Sequence, residues 1–248
     1  MALEDSNLEF LLKKANEHER KYEWLQATKF YKKASELATK NKDFWKIGEL
    51  NEKLGFCFFR AASQSKTRKD LIIKMKWASE AYQKAINYFQ KTDENKKEIR
   101  IKHNTALIAY VGLWLDTEQS KRDMLFHQYW SLENEVLRMH EEARDNLAVG
   151  TLCNEMIKAC HDQYLFYVTD GFEFKKLSME CFALGEKAIE VLSKIDADYE
   201  LAFAYSWSSW LLGFVVLVGG YQNMKKEYPQ KSVEYVRKAL TLSKKSWR

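Results

Sequence analysis

The residues able to do chemistry in this chain are few and poorly spaced for it. A di-metal centre in a helical protein needs Glu three residues before His, so that both side chains leave one helix face. The five histidines are His18, His103, His127, His140 and His161. The residues three before them are Ala15, Arg100, Met124, Leu137 and Lys158, which excludes that site. Cys153 and Cys160 lie near His161, but two helical turns apart, about 10 Å, which is too far for one zinc ion to bridge. The sequence holds no G-x-S-x-G, no Gly-rich phosphate loop and no H-E-x-x-H. The four cysteines, Cys57, Cys153, Cys160 and Cys181, form no C-x-x-C and read as reduced core thiols in a cytoplasmic protein. We expect no catalytic residue, no metal and no cofactor; the chain reads as a non-enzyme.

The elements around these residues are helices. The 248 residues include one proline and nine glycines, too few for many strands and tight turns. The apolar share of 46% fills a sizeable core, and the 30% of charged residues, mostly Lys and Glu, suits solvated helix faces. The N-terminal MALEDSNLEF has neither a basic nor an apolar region and does not read as a signal peptide. Charge is uneven. Residues 66–103 carry eleven Lys and Arg against five Asp and Glu, 104–224 nine against eighteen, and 225–248 eight against two. Such patterning bears on partner choice rather than fold.

A short pattern recurs: a small residue, a bulky one four later, and Ala three after that. It appears as Ala27–Tyr31–Ala34 and Ala78–Tyr82–Ala85, more loosely as Cys181–Gly185–Ala188, where glycine takes the bulky place, and again as Ser232–Val236–Ala239. The closing alanines are separated by 51, 103 and 51 residues, which places an eroded copy near VLRMHEEA at 136–137. Spacings of four and three form one helical stripe, whose small residues admit a neighbouring helix and whose bulky residue fills the gap. A second pattern precedes it: LGFCFFRAA from Leu54 and LGFVVLVGG from Leu212. Five units follow, at 5–42, 43–92, 93–145, 146–197 and 198–248, in one repeat domain. The uncharged run Leu201–Met224 then reads as the first helix of the fifth hairpin, not a membrane span, because its first half, AYSWSSW, is only weakly apolar.

Together the two patterns resemble the tetratricopeptide repeat, in the long-hairpin form of the soluble NSF attachment proteins. Ala15, Trp24, Ala27, Tyr31 and Ala34 carry the likeness in the first unit, and Leu54, Gly55, Phe58, Ala78, Tyr82 and Ala85 in the second. The second hairpin is lengthened by SQSKTRKDLII, and the third and fourth units match poorly. The resemblance implies an all-α, right-handed α-solenoid of about five helical hairpins, about ten helices, with first helices lining a concave face.

It also implies a protein–protein interaction scaffold that takes a partner peptide or helix on that face. The implied groove positions are Leu12, Asn16, Glu19 and Arg20; then Glu52, Phe56, Phe59 and Arg60; then Arg100, His103 and Leu107; then Trp207, Trp210, Phe214 and Leu217. Asn16 matches a carboxylate clamp known in the family, but Leu12 and Glu52 stand where its cations belong. Trp207, Trp210 and Phe214 share one helix face, which either receives an apolar partner segment, is covered by the chain's own Ser232–Trp247, or forms a homodimer contact. The alternative function is a nucleic-acid-associated repeat protein using basic segments 66–102 and 225–248. The acidic block at 104–224 makes that the weaker expectation.

Overall fold

A computed structural model of the chain describes the backbone of residues 2–164, 171–218 and 227–246, and the side chains of 7–162, 176–213 and 227–245. All regular structure among these residues is α-helix. The elements are α1 (Ala2–Arg20), α2 (Trp24–Lys40), α3 (Phe44–Ser63), α4 (Arg68–Phe89), α5 (Lys97–Leu115), α6 (Gln119–Glu142), α7 (Asn146–Tyr164), α8 (Gly171–Leu192), α9 (Asp198–Val218) and α10 (Tyr228–Ser246). The expected unit boundaries fall in the connections α2–α3, α4–α5, α6–α7 and α8–α9. The chain divides into two compact units, Met1–Val136 and Leu137–Arg248, where the sequence reading has one continuous domain. In the first, α1 to α5 each pack on their sequence neighbours; in the second, α9 packs on α7, α8 and α10.

The connections follow from capping chemistry. Three of them close with a residue in the left-handed region: Tyr22 (φ 59°), Lys42 (φ 56°) and Arg144 (φ 56°). In each, the next N–H reaches back to close the helix, Glu23 to the His18 carbonyl at 2.9 Å, Asp43 to Ala38 at 3.1 Å and Asp145 to His140 at 3.0 Å. This is the Schellman closure, usually made with glycine. The following helix is capped at once: Asp43 Oδ1 accepts from the Lys46 N–H at 2.9 Å and Asp145 Oδ1 from the Ala148 N–H at 3.2 Å. In the second hairpin Thr67 caps α4, accepting from the Asp70 N–H at 3.1 Å, so most of SQSKTRKDLII lengthens α4 and little of it forms loop.

Small residues on one helix receive bulky ones from the next, as the repeat pattern requires. A Cβ on Gly55 would stand 2.5 Å from the Tyr82 ring, and one on Gly48 2.5 Å from the Phe89 ring. Gly150 meets Leu192 in the same way, at 2.3 Å. The bulky position keeps a period of 51 residues through Tyr31, Tyr82, Glu133, Leu184 and Tyr235, all of them buried. This corrects the fifth unit. The expected Val236 is 44% exposed, while Tyr235, one residue earlier, is the buried one. A one-residue shift is a 100° turn of the helix, enough to carry a side chain from core to solvent.

Candidate functional site

Of the expected partner-binding residues in the first unit, Asn16 and Arg20 lie on α1, Phe56, Phe59 and Arg60 on α3, and His103 on α5. On α3, Glu49, Glu52, Phe56 and Arg60 recur every three or four residues; on α5, Arg100, His103 and Leu107 do the same, with Asn104 one turn after Arg100. Glu52 ties the two together. Its Oε1 accepts from Arg100 Nη1 at 2.7 Å and its Oε2 from Asn104 Nδ2 at 2.8 Å. Phe56 stays 36% exposed and meets the Trp24 ring edge-on at 5.7 Å. The Arg60 guanidinium covers the same indole at 5.2 Å, a cation–π contact.

His103 does not face a groove alone. Its Nδ1 lies 3.0 and 3.1 Å from the two carboxylate oxygens of Glu133 on α6. Glu133 is 1% exposed, so the pair is an acid held inside the helix packing by one imidazole. A buried carboxyl group needs such a hydrogen-bond partner, because left unsatisfied it would carry its full desolvation cost. The sequence reading chose His103 and overlooked Glu133, because it reads the third unit as eroded. The signal was present: counting 51 from Tyr82 lands on Glu133, and counting 51 from Glu52 lands on His103.

Other expected positions divide between surface and interior. Asn16 and Arg20 are exposed. Asn16 Oδ1 lies 2.9 Å from the Tyr31 hydroxyl, which also reaches Glu19 Oε1 at 2.8 Å, so the amide is part of the α1–α2 packing. Phe59 is interior rather than groove-lining. It is 7% exposed and packs on Tyr110 at 5.3 Å and Trp114 at 6.5 Å, because its place on α3 turns it toward α5. In the second unit Trp207 and Trp210 are half-buried around His161 of α7, whose ring lies 5.2 and 4.4 Å from theirs. The C-terminal helix α10 takes a different side of α9, where Tyr205 meets Tyr235 at 5.2 Å and Ser209 donates to the Ser232 carbonyl at 2.9 Å. The side chains of Phe214 and Leu217 lie outside the described residues.

Three buried cysteines have their thiols held protonated. Burial pushes the Cys57 thiol up, helped by the Glu19 carboxylate 3.4 Å from its sulfur. Burial raises Cys153 to about 12, and burial with a hydrogen bond to Cys181 raises Cys160. A reactive cysteine needs the opposite shift. Among the described residues no group of three His, Cys, Asp or Glu side chains is placed to hold a metal ion. No described helix is long and apolar enough to cross a membrane.

No protein-family model and no curated protein matches this chain. Among solved structures, one from "Computational Design of Self-Assembling Cyclic Protein Homooligomers" aligns over 98% of this chain and 94% of its own, at 13% identity and a TM-score of 0.32. A score that low carries no argument about fold or function.

Proposed function

We propose that this chain is a non-catalytic scaffold of the tetratricopeptide-like kind, binding a peptide or helix of a protein partner along the concave face of its first helices. The observation that carries this is the α3–α5 face. There a carboxylate clamped by Arg100 and Asn104 adjoins an exposed phenylalanine and an arginine-capped indole. Aromatic and arginine side chains held rigid on helices are the usual anchors of interfaces. The cytoplasm is the compartment that fits, since all four cysteines are unpaired and buried. A homodimer through the fifth-hairpin tryptophans would have only their uncovered parts to use.

The nucleic-acid reading draws less support. In segment 66–102, Lys74 is bound to Asp70 at 2.6 Å, Arg100 to Glu52 at 2.7 Å and Lys102 to Glu135 at 2.8 Å. Cations so engaged are poorly placed to track phosphates.

The test uses a photoreactive amino acid in place of Phe56 and, as a control, in place of Lys33 on α2. Covalent adducts with a defined partner at position 56, absent at 33 and lost with Arg60→Glu, support the face. The same adducts at both positions would remove it.

A further inference from the structure

The geometry points to a self-assembly contact in which the outward stripe of α10 in one copy docks into a groove between α4 and α6 of a second copy. The groove lies within the first unit, encloses about 440 Å³, and is lined by α4, α5 and α6 without one charged side chain. That is unusual in a chain that is 30% charged. Its floor is Ile101, Thr105, Ile108, Gly112 and Leu115 of α5, at spacings of four, three, four and three. Its α4 wall is Ser79, Gln83, Ile86 and Gln90, with the same rhythm. Two facing stripes of this period, with small residues on each, form holes for the knobs of a third helix.

One repeat earlier the same side of the first helix is closed. The residues 51 before Ile101, Thr105 and Ile108 are Leu50, Leu54 and Cys57, all buried. The phenylalanine beside them, Phe58, is 8% exposed, with Trp77 packed on its ring at 5.5 Å and Lys32 over it at 5.4 Å. On α5, Ile101, Thr105, Ile108 and Gly112 remain half-exposed, with no equivalent of that aromatic lid.

The occupant is indicated by a second departure from the repeat. On α10, Val233, Val236 and Leu240 are 51%, 44% and 57% exposed, and their spacing is that of a docking helix's anchors. The same positions three repeats earlier on α4 are Glu80, Gln83 and Asn87, and one repeat before that on α2 they are Lys29, Lys32 and Glu36. All six are polar or charged and exposed; one repeat before α10, on α8, the positions are Phe182, Gly185 and Ile189, none of them exposed, so α10 is where the apolar stripe reaches solvent. An uncharged groove and an uncharged stripe match in polarity and in helical period. The contact joins two different surfaces, so it is heterologous and propagates from copy to copy until a ring closes or a polymer forms. Its floor lies on the first helix α5, but its lining shares no residue with the partner face proposed above.

The experiment is sedimentation velocity on the full chain. Wild type is expected to show species larger than a dimer that grow with concentration. Ile108→Lys, which spoils the groove, and Leu240→Lys, which spoils the stripe, are each expected to sediment as monomers. Mixed together they retain one good groove and one good stripe, and are expected to form a one-to-one dimer that stops there. Circular dichroism confirms folding; Thr105→Lys and Val236→Lys replace either variant that melts early. A monomeric wild type at every concentration overturns the proposal. So does a mixture that stays monomeric, or association that survives both substitutions, since the groove would then serve another helix and the copies another surface.

Discussion

The third and fifth hairpins fill one structural position in opposite ways. A first-helix residue meets a second-helix residue thirty positions later in both: His103 with Glu133, and Tyr205 with Tyr235. In the fifth, two aromatic rings pack, and the Tyr235 hydroxyl donates to Glu186 at 2.6 Å while Lys231 holds the same carboxylate at 2.9 Å. In the third, the slot holds a hydrogen-bonded histidine–carboxyl pair with its acid almost wholly out of water. The lesson concerns fragility more than strength. A buried ion pair adds little over apolar packing, but removing one partner strands a charge. Aromatic packing degrades by degrees.

Breaking the His103–Glu133 pair has the largest expected effect. His103→Ala should cost about 3–5 kcal/mol by stranding Glu133, read as a lowered urea midpoint. Adding Glu133→Leu should recover most of that loss. A single variant that melts like wild type would show that other groups hold the acid.

Next is a probe of the packing that both hairpins share with the second. Gly55→Ala forces a methyl to 2.5 Å from the Tyr82 ring. Overpacking of this kind costs about 1–3 kcal/mol, measurable by thermal melting. An unchanged melting temperature would mean that the ring moves without penalty.

The aromatic version should show its own signature at high pH. Burial, and after it Glu186, raises the Tyr235 hydroxyl; burial and Glu19 do the same at Tyr31. For a raised group the stabilisation is fully present below the unfolded value and is lost as pH climbs past it. Stability should therefore fall above about pH 10, the unperturbed tyrosine value. Tyr235→Phe should cost about 1 kcal/mol at neutral pH and flatten part of the alkaline fall. A pH profile identical to wild type would detach Tyr235 from that fall.

The smallest effect is a gain. Lys42 and Arg144 sit at positive φ in two of the inter-hairpin turns, α2–α3 and α6–α7, where an L side chain costs about 1 kcal/mol relative to glycine. Arg144→Gly and Lys42→Gly should each raise the melting temperature by a few degrees. A drop instead would mean that those side chains contribute more than their backbone strain costs.

Hairpin boundaries were legible because the small–bulky–small stripe and the near absence of proline and glycine both report helix. Gly55 against Tyr82 is that stripe in three dimensions. Phe59 was misplaced because spacing gives a face but not which neighbour covers it. The His103–Glu133 pair was half-seen, since a charge in an aromatic slot erases the hydrophobic signal that marks a repeat. In the fifth hairpin a second apolar residue, Val236, stands next to the true register position Tyr235 and made the pattern ambiguous by one position.

The 51-residue period holds from Tyr31 to Tyr235 although the helices differ in length, α2 having 17 residues and α4 22. What a longer helix adds, a shorter connection gives back. The hairpin is thus a cassette of fixed length with variable contents. Side chains in its slots have drifted as far as tyrosine to glutamate, while the residue count per cassette has not. Splices that exchange material between hairpins should stay in frame with the fold only when they move whole multiples of that count.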